Sequence, residues 1–552
     1  MAQIPFLDRR ALMALMAKSG IGAGALASGW PLLAATPWPR NIEANPRFTD
    51  YPFALGVASG DPAPDGFVIW TRLCPRPAEQ HYGMPRAPMV VSWEVAPDEA
   101  FATIIAKGEA LASPELGHSV HVEVGGLSPD RVWFYRFRIA GQVSAAGRSR
   151  TLPLPGARVD RLRFAVAGCQ HYEHGHYTAW AHIAQEPVDF VFHYGDYIYE
   201  TNEKGAETLT IQGNPFPRAR KHNNDEPYSL DDYRQRYAQY KTDPHLQAAH
   251  AAAPFWMSLD DHEIDNDWAD RWDQDGTPPE VFLYRRAAAF QAYYEHMPLR
   301  RAAMPDGSHM QMYRGARYGD LMNAFVLDTR QYRSDQIGEA EKLPGGDKLA
   351  PMTPAAYDPA RTMMGDAQEQ WLFNGLAKSG TRWNLIAHQV MLMHLVGRAG
   401  GGAKGFNMDR WSGYMHSRRR LLAHIDKACP GNVVTVSGDA HRHYAGDVVQ
   451  DEGAPQTDWR AKPGKVITTE FLGTSVSSGD DGMGELNTPQ QLADNPVLKA
   501  TIDRRGYVLC DMGRDLFHAD LKVIDRVSSP GGTLSTYASF AVERGHPGMH
   551  KA

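Results

Sequence analysis

Cysteine is scarce in this chain. Four occur in 552 residues, Cys74, Cys169, Cys429 and Cys510, too few for a disulfide framework in a chain of this length. An excess of basic charge is also missing: 57 Lys and Arg stand against 64 Asp and Glu, a formal net charge of −7. That balance excludes a phosphate-backbone grip on DNA or RNA as the main business. Beyond the N-terminus, no stretch reads as a transmembrane helix, which needs about 20 mostly apolar residues. What is present is ordinary globular material, 43% hydrophobic, with length for two or three domains and a large core.

Residues 1–35 have a different texture. Arg9-Arg10, in "DRRALMA", precede a weakly apolar, Gly/Ala-rich stretch from Ala11 to Ala27 that contains Lys18. The stretch is too mild and too rich in small residues for a membrane span. It reads as a removed export signal of twin-arginine type, with cleavage after Ala27 or near Ala34-Ala35; the alternative is a disordered basic start to a cytoplasmic protein. The export reading makes the twin-arginine export (Tat) machinery a partner. It expects a soluble mature protein in the bacterial periplasm or outside the cell.

Residues 45–153 carry short alternating apolar runs split by Gly, Pro and Asp: "FALGVASGDP", "GFVIWTRL", "MVVSWEVA", "SVHVEVGGLSPD" and "VWFYRFRI". Runs of strand length with such punctuation predict a small antiparallel β-sandwich of about a hundred residues. "TLPLPGARVD", Thr151–Asp160, supplies a Pro/Gly boundary. From 160 to 552 the texture is α/β. "RLRFAVAGCQ" reads as a buried strand, "YTAWAHIAQE" as a short helix and "VDFVFHYGD" as a second strand, a βαβ unit whose strands should be parallel. "FWMSLDDHE", "NAFVLDTRQYR", "WNLIAHQVM", "NVVTVSGDAHRH" and "VITTEFLGTSVSS" continue the strands. "YSLDDYRQRYAQYKTD", with Ser229 as N-cap, and "EVFLYRRAAAFQAYYEHM" read as helices. Glu203 to Pro227 and Gly338 to Pro359 read as long surface loops that could wall a cleft.

These strands share one property: the apolar run ends and metal-capable residues follow at once. Cys169 follows "FAVAG", Asp196 follows "VFHYG" with Tyr199 close behind, Asp260-Asp261-His262-Glu263 follow "FWMSL", and Asp439 and His441 follow "VTVSG". Ligands bind outside the carboxyl ends of parallel strands, so the endings should converge on one crevice. A thiolate, carboxylates, a phenolate and imidazoles together can neutralise two or three cations sharing a site. Two adjacent metals with a bridging hydroxide suit in-line displacement at phosphorus. Each residue alone also has a plain reading: Cys169 as a buried hydrophobe, Tyr199 as a packed aromatic, His441 as structural, Asp260 as a turn former.

The motifs "GVASGDPAPDGFVIWTRL", "GCQ", "GDYIYE", "DDHEIDN", "LDTRQYRSDQ", "RWSGY", "SGDAHRH" and "EFLGTSVSSG" span nearly the whole mature chain. In them the sequence resembles the PhoD-type alkaline phosphatases and phosphodiesterases, within the calcineurin-like metallophosphoesterases. A tyrosine–iron feature is shared with purple acid phosphatases. The resemblance implies an α/β fold, a metallophosphoesterase α/β/β/α sandwich preceded by a small all-β fibronectin-like domain. It makes Cys169, Asp196, Tyr199 and His441 ligands of Fe3+, with Asp196 bridging. Asp261, where many wider relatives carry Asn, and Asp439, where they often carry His, would face a second metal. That ion is implied to be Ca2+, with Zn2+ or Mn2+ as the alternatives. His262 would sit beside the phosphoryl group and protonate or stabilise the leaving oxygen. Arg330 and Arg333 are candidates to clamp phosphoryl oxygens, their alternative being packing or ion-pairing at a strand end. Backbone donors from Gly473 to Ser478 are an alternative to a plain turn there, and whether His388 ligates is open.

The resulting expectation is a secreted metal-dependent hydrolase of phosphomonoesters and phosphodiesters, by in-line attack of a metal-bound hydroxide. Phospholipid headgroups and wall-polymer fragments are included among the substrates. Phospholipase D-like headgroup hydrolysis and phosphotriesterase activity are alternatives on the same site. A metallo-amidase or lactonase would use similar chemistry, but Tyr199 and Cys169 favour iron over the zinc common there. A metal-stabilised surface-binding module would need exposed aromatic platforms, whereas Trp93 and Trp133 sit in apolar runs.

Overall fold

The computed structural model describes residues 41–201, 206–211, 214–337, 349–398, 402–450 and 464–552. The segment 1–35, read as an export signal, lies outside the described residues, as do parts of both long loops. In the central strands, apolar residues alternate between two destinations. Along Arg161–Ala167, Leu162, Phe164 and Val166 face one core, and Ala165 and Ala167 another. Phe190–His193 and Phe255–Met257 repeat this, with Phe190, Phe192 and Trp256 on the first side and Val191, Phe255 and Met257 on the second. Alternation with both faces apolar is what a strand between two packed layers requires. Met322–Val326, Trp383–Ala387 and Val433–Ser437 send Ala324, Val326, Leu385, Ala387, Val434 and Val436 into that first core from the opposite side. Phe325, Ile386 and Val433 turn outward to a third cluster.

Two sheets therefore stack over a shared interior, where Phe164, Phe190 and Trp256 pile up with ring centroids 4.8 and 4.0 Å apart. Arg161–Ala167, Phe190–His193 and Phe255–Met257 run parallel in one sheet. Met322–Val326, Trp383–Ala387, Val433–Ser437 and Val466–Leu472 run parallel in the other. Helices Leu230–Lys241 and Pro279–His296 cover the outer face of the first, and Gly365–Ala377 and Met415–Ala428 that of the second. The architecture is an α/β/β/α sandwich. Helix Leu230–Lys241 starts at a capping box: the Asp232 N–H donates to Ser229 Oγ at 3.2 Å and the Ser229 N–H to Asp232 at 2.9 Å. No described helix is long and apolar enough to cross a membrane.

The N-terminal strands enclose a core of their own, with Val57, Phe67, Ile69 and Val120 facing Val91, Trp133 and Phe137. One of their sheets is not self-contained. Gly60, in Val57–Ala63, pairs in parallel with Phe255, so the large sheet runs on into the N-terminal region. Only a glycine allows this approach, because a Cβ at residue 60 would stand 2.4 Å from the Pro298 carbonyl oxygen. Ala106–Ala112 forms a strand at the edge of the separate five-stranded N-terminal sheet, although "AKGEALA" lacks the β-branched residues that announce one. The stretch 203–227, read as a loop, carries the hairpin Thr208–Ile211 against Asn214–Pro217. A four-residue 3₁₀ turn, Pro354–Tyr357, lies within the second expected loop.

Where Phe190–His193 ends, Tyr194 wedges a fully buried ring between the ends of both sheets and donates its hydroxyl to the Thr474 carbonyl at 2.6 Å. Three glycines make room for it. A Cβ at Gly168, Gly438 or Gly473 would lie 2.4, 2.2 or 2.9 Å from that ring. Gly168 and Gly438 immediately precede Cys169 and Asp439, so the wedge sets the spacing of those residues. Gly438→Ala is expected to lower stability by about 1–3 kcal/mol through overpacking. Tyr194→Phe, which strips the Thr474 carbonyl of this donor, should cost a similar ~1–3 kcal/mol. Urea denaturation midpoints check both; midpoints equal to wild type would contradict the wedge.

Candidate metal centre

The residues that follow the strands reverse the chain sharply. Cys169, Asp196, Asp439 and His441 all have positive φ, at 51°, 55°, 69° and 51°. Non-glycine residues adopt this conformation rarely, and it persists where the surroundings over-determine it.

The side chains gather into overlapping groups. Single donor atoms of Cys169, Asp196 and His441 lie within 4.8 Å of one another, as do those of Asp196, Asp261 and His262, and of Asp260, Asp261 and Asp439. Tyr199 joins the first group, its hydroxyl donating to Asp196 Oδ2 at 2.8 Å and lying 2.9 Å from His441 Nε2. Ser478 Oγ lies 2.7 Å from the Tyr199 oxygen. The structure thus brings Cys169, Asp196, Tyr199, Asp261, Asp439 and His441 together, with Asp196 in two groups and Asp261 in two.

The electrostatics show what this arrangement fits. Asp196 Oδ1 and Asp260 Oδ2 are buried with no hydrogen-bond donor, a costly state for a carboxylate oxygen. Burial, reinforced by neighbouring carboxylates, pushes the Asp260 carboxyl up against the pull of Arg330 and the Asp439 carboxyl up against that of Arg410 and Arg330. Burial and the Asp196 charge likewise push the Tyr199 phenol and the Cys169 thiol well above their ordinary values. Cations would satisfy the orphaned oxygens and favour the deprotonated phenol and thiol. The group containing Cys169 mixes soft and hard donors, whereas Asp260, Asp261 and Asp439 offer oxygen alone, the preference of a hard cation.

Other side chains hold these in place. Glu263 accepts from the backbone N–H groups of Asp196, Tyr197 and Asp260 at 3.1, 2.5 and 2.7 Å, tying two strand-end loops together. Burial and the adjacent Asp196 push its carboxyl up to about 8 against those three donors. Fully buried Arg330 reaches four carboxylates: Asp260 at 2.5 Å, Asp409 at 3.1 Å, Asp439 at 3.4 Å and Asp261 at 3.5 Å. Arg333, also buried, binds the Asp409 carboxylate and carbonyl and the Trp268 carbonyl. Both candidate clamps are therefore engaged by the protein itself. His262 lines the cleft with Nδ1 2.7 Å from Glu200 and its ring 4.1 Å from that of Tyr199. Burial works against its charge, but Glu200, Asp261 and Asp196 outweigh it and hold its pKa well above the usual value.

His388 lies apart from the three groups. Its Nδ1 is 2.8 Å from the Val390 carbonyl, and burial lowers its pKa to about 4. Gly473–Ser478 is a clasp: the Val476 N–H donates to the Gly168 carbonyl at 2.9 Å and Ser478 Oγ to the Cys169 carbonyl at 2.8 Å. All four cysteines are free and buried.

The groups open on a cleft of about 520 Å³ whose walls include Phe216, Asn266, Arg410, Arg442, Met483 and Asn487. Sequence reasoning lists Glu263 with the metal-capable residues after "FWMSL" and gives it no supporting role, and it assigns none to the side chains of Glu200, Arg410 and Ser478, which lie inside "GDYIYE", "RWSGY" and "EFLGTSVSSG". Asp409, one residue before "RWSGY", it does not name.

The sequence matches the PhoD-like phosphatase family over residues 164–521 and the N-terminal domain of PhoD-like phosphatases over 39–153. It is 43% identical over 512 residues to alkaline phosphatase D of Bacillus subtilis (strain 168), covering 92% of this chain and 84% of that protein. A solved structure of PhoD superposes with a TM-score of 0.84 at 43% identity, covering 92% of this chain and 93% of that one.

Glu263→Gln replaces one accepting oxygen with an NH2 group that cannot accept from the strand-end N–H groups. Metal affinity is expected to fall roughly 10–100-fold, with a lower thermal midpoint. Metal content after dialysis and a melt on the same sample check this; wild-type values for both would contradict the supporting role.

Proposed function

This chain belongs to the PhoD-like phosphatase family and is a hydrolase of phosphate esters, and from that premise we propose that it acts on phosphomonoesters and phosphodiesters by a metal-dependent in-line displacement. The observation that carries this reading is Asp196, shared between two donor groups with a buried oxygen lacking any hydrogen-bond donor. Cys169, Asp196, Tyr199 and His441 would hold Fe3+. Asp196, Asp261 and Asp439 would hold the second ion, assigned as Ca2+ on their all-oxygen donors, with Zn2+ or Mn2+ as alternatives. Bound there, the two cations would activate water and neutralise charge at phosphorus.

The chain's own residues do the rest. Glu200 holds His262 Nδ1, fixing the imidazole at the cleft wall, and its charge favours the protonated ring. His262 is thereby suited to give a proton to the leaving oxygen. Arg330 gathers Asp260, Asp261 and Asp439, which supports an organising role for it and for Arg333 in place of direct contact with substrate. The substrates proposed are small phosphate esters, including phospholipid headgroups and wall-polymer fragments. The protein is proposed to leave the cytoplasm folded through the Tat machinery and to act in the periplasm or outside the cell, on the strength of Arg9-Arg10.

Chromogenic phosphate mono- and diesters assayed in parallel test the activity, and turnover of neither would overturn it. Asp196→Asn keeps size and shape but removes the shared charge. Turnover should drop by several orders of magnitude, well beyond the roughly 10–100-fold typical of supporting residues, with folding retained by circular dichroism. Normal turnover per folded molecule would falsify the shared role. Arg9→Lys with Arg10→Lys should retain active precursor inside the cell, and unimpaired export in that double variant would argue for another route.

A further inference from the structure

Several arginines reach the candidate centre or its cleft, and most are committed elsewhere. Arg330 and Arg333 are held by carboxylates and carbonyls as described. Arg442 gives Nε to Thr501 and Nη2 to Thr488, both at 2.7 Å. Arg505 gives Nη1 to Ser475 at 2.7 Å and to the Ser478 carbonyl, and Nη2 to Asp503.

Arg410 differs. It lines the cleft with Asp261, His262, Asp439 and His441. Its Nε is 3.7 Å from Asp439 Oδ2, near enough for charge attraction, and is buried with no hydrogen-bond partner, a state shared by the Nε of Arg333 and Arg505, whose terminal nitrogens are nonetheless spent on protein oxygens. Nη1 meets the Met391 sulfur at 3.9 Å, a weak acceptor. A guanidinium held at the mouth of a carboxylate-rich centre with unspent donors is costly unless something else accepts from it. Its neighbour Asp409 turns the other way and accepts from Arg330 and Arg333, so the backbone here presents one charge to the interior and the opposite charge to the cleft.

We propose that Arg410 binds the non-bridging oxygens of the substrate's phosphoryl group, presenting its planar fork of N–H donors beside the metal groups. The assignment rests on the phosphoesterase reading above. Planar pairing with two oxygens is what a guanidinium does and an ammonium does not. A diester carries two such oxygens and a monoester three, so a contact to two of them serves either class and is indifferent to the leaving alcohol.

The test compares wild type, Arg410→Gln and Arg410→Lys as metal-loaded proteins. Inorganic phosphate serves as competitive inhibitor, and two chromogenic esters with leaving groups of different size serve as substrates. In Arg410→Gln the phosphate inhibition constant should rise roughly 10–100-fold. kcat/KM should fall about 100-fold or more, by the same factor for both leaving groups, with metal content and melting temperature unchanged. Arg410→Lys should recover part of the loss by charge alone, and it carries the same comparison should Arg410→Gln not fold. Unchanged phosphate inhibition, a loss that varies with the leaving group, or a loss explained by missing metal would each overturn the assignment. The last would make Arg410 a positioning residue for Asp439. Wild type inactive on every phosphate ester would instead remove the phosphoesterase reading itself, a result distinct from active wild type with indifferent Arg410 variants.

Discussion

Four carboxylates, Asp196, Asp260, Asp261 and Asp439, are crowded where two sheets end. Two like charges about 4 Å apart repel by about 4 kcal/mol at an effective dielectric constant near 20. Arg330 reaches three of the four and Arg410 approaches one, while Asp196, at the centre, has Tyr199 and His441 instead. Side-chain cations therefore offset part of the charge, and bound metal ions would account for the remainder. The left-handed backbone at Cys169, Asp196, Asp439 and His441 has the same origin, since the turns that aim these side chains inward are strained and need compensation elsewhere.

Much of that compensation comes from packing beneath the site. The Tyr194 ring fixes the separation of the two sheets at the end where ligand candidates emerge, and Gly168, Gly438 and Gly473 are glycines because that ring leaves no room for a Cβ. Glu263 then joins the Asp196 and Asp260 loops through backbone N–H groups. Helix Leu230–Lys241 contributes from the other side: the Tyr240 hydroxyl accepts from the Tyr199 N–H at 3.1 Å, and Arg236 donates to the Tyr199 carbonyl. Chemistry at the centre is thus coupled to the sandwich core and to an outer layer.

The fold was legible because its main signals are local. Apolar runs such as "RLRFAVA" and "VTVSG" are short, bounded and end in carboxylate, thiol or imidazole, and Ser229 caps its helix within three residues. What was not legible depends on distant pairing. Nothing around Gly60 announces that it will lie against Phe255, and Ala106–Ala112 becomes a strand through its neighbour Met89–Ala96 more than through its own propensity. At the site, residue types that can bind metal were recognisable one at a time, whereas partners were not. Arg330 and Arg333 looked alike in "DTRQYR", and only the tertiary structure shows both turned onto carboxylates while Arg410, from a separate loop, faces the cleft.

The central claim is that buried carboxylate charge is balanced by two metal ions that share Asp196. Elemental analysis of wild type and Asp196→Asn, purified alike, tests it most directly. The account predicts two different metals in near-stoichiometric amounts in the wild type, with the occupancy of both falling together in the variant. Wild-type protein without bound metal, or a variant that loses one ion and keeps the other at full occupancy, would contradict it.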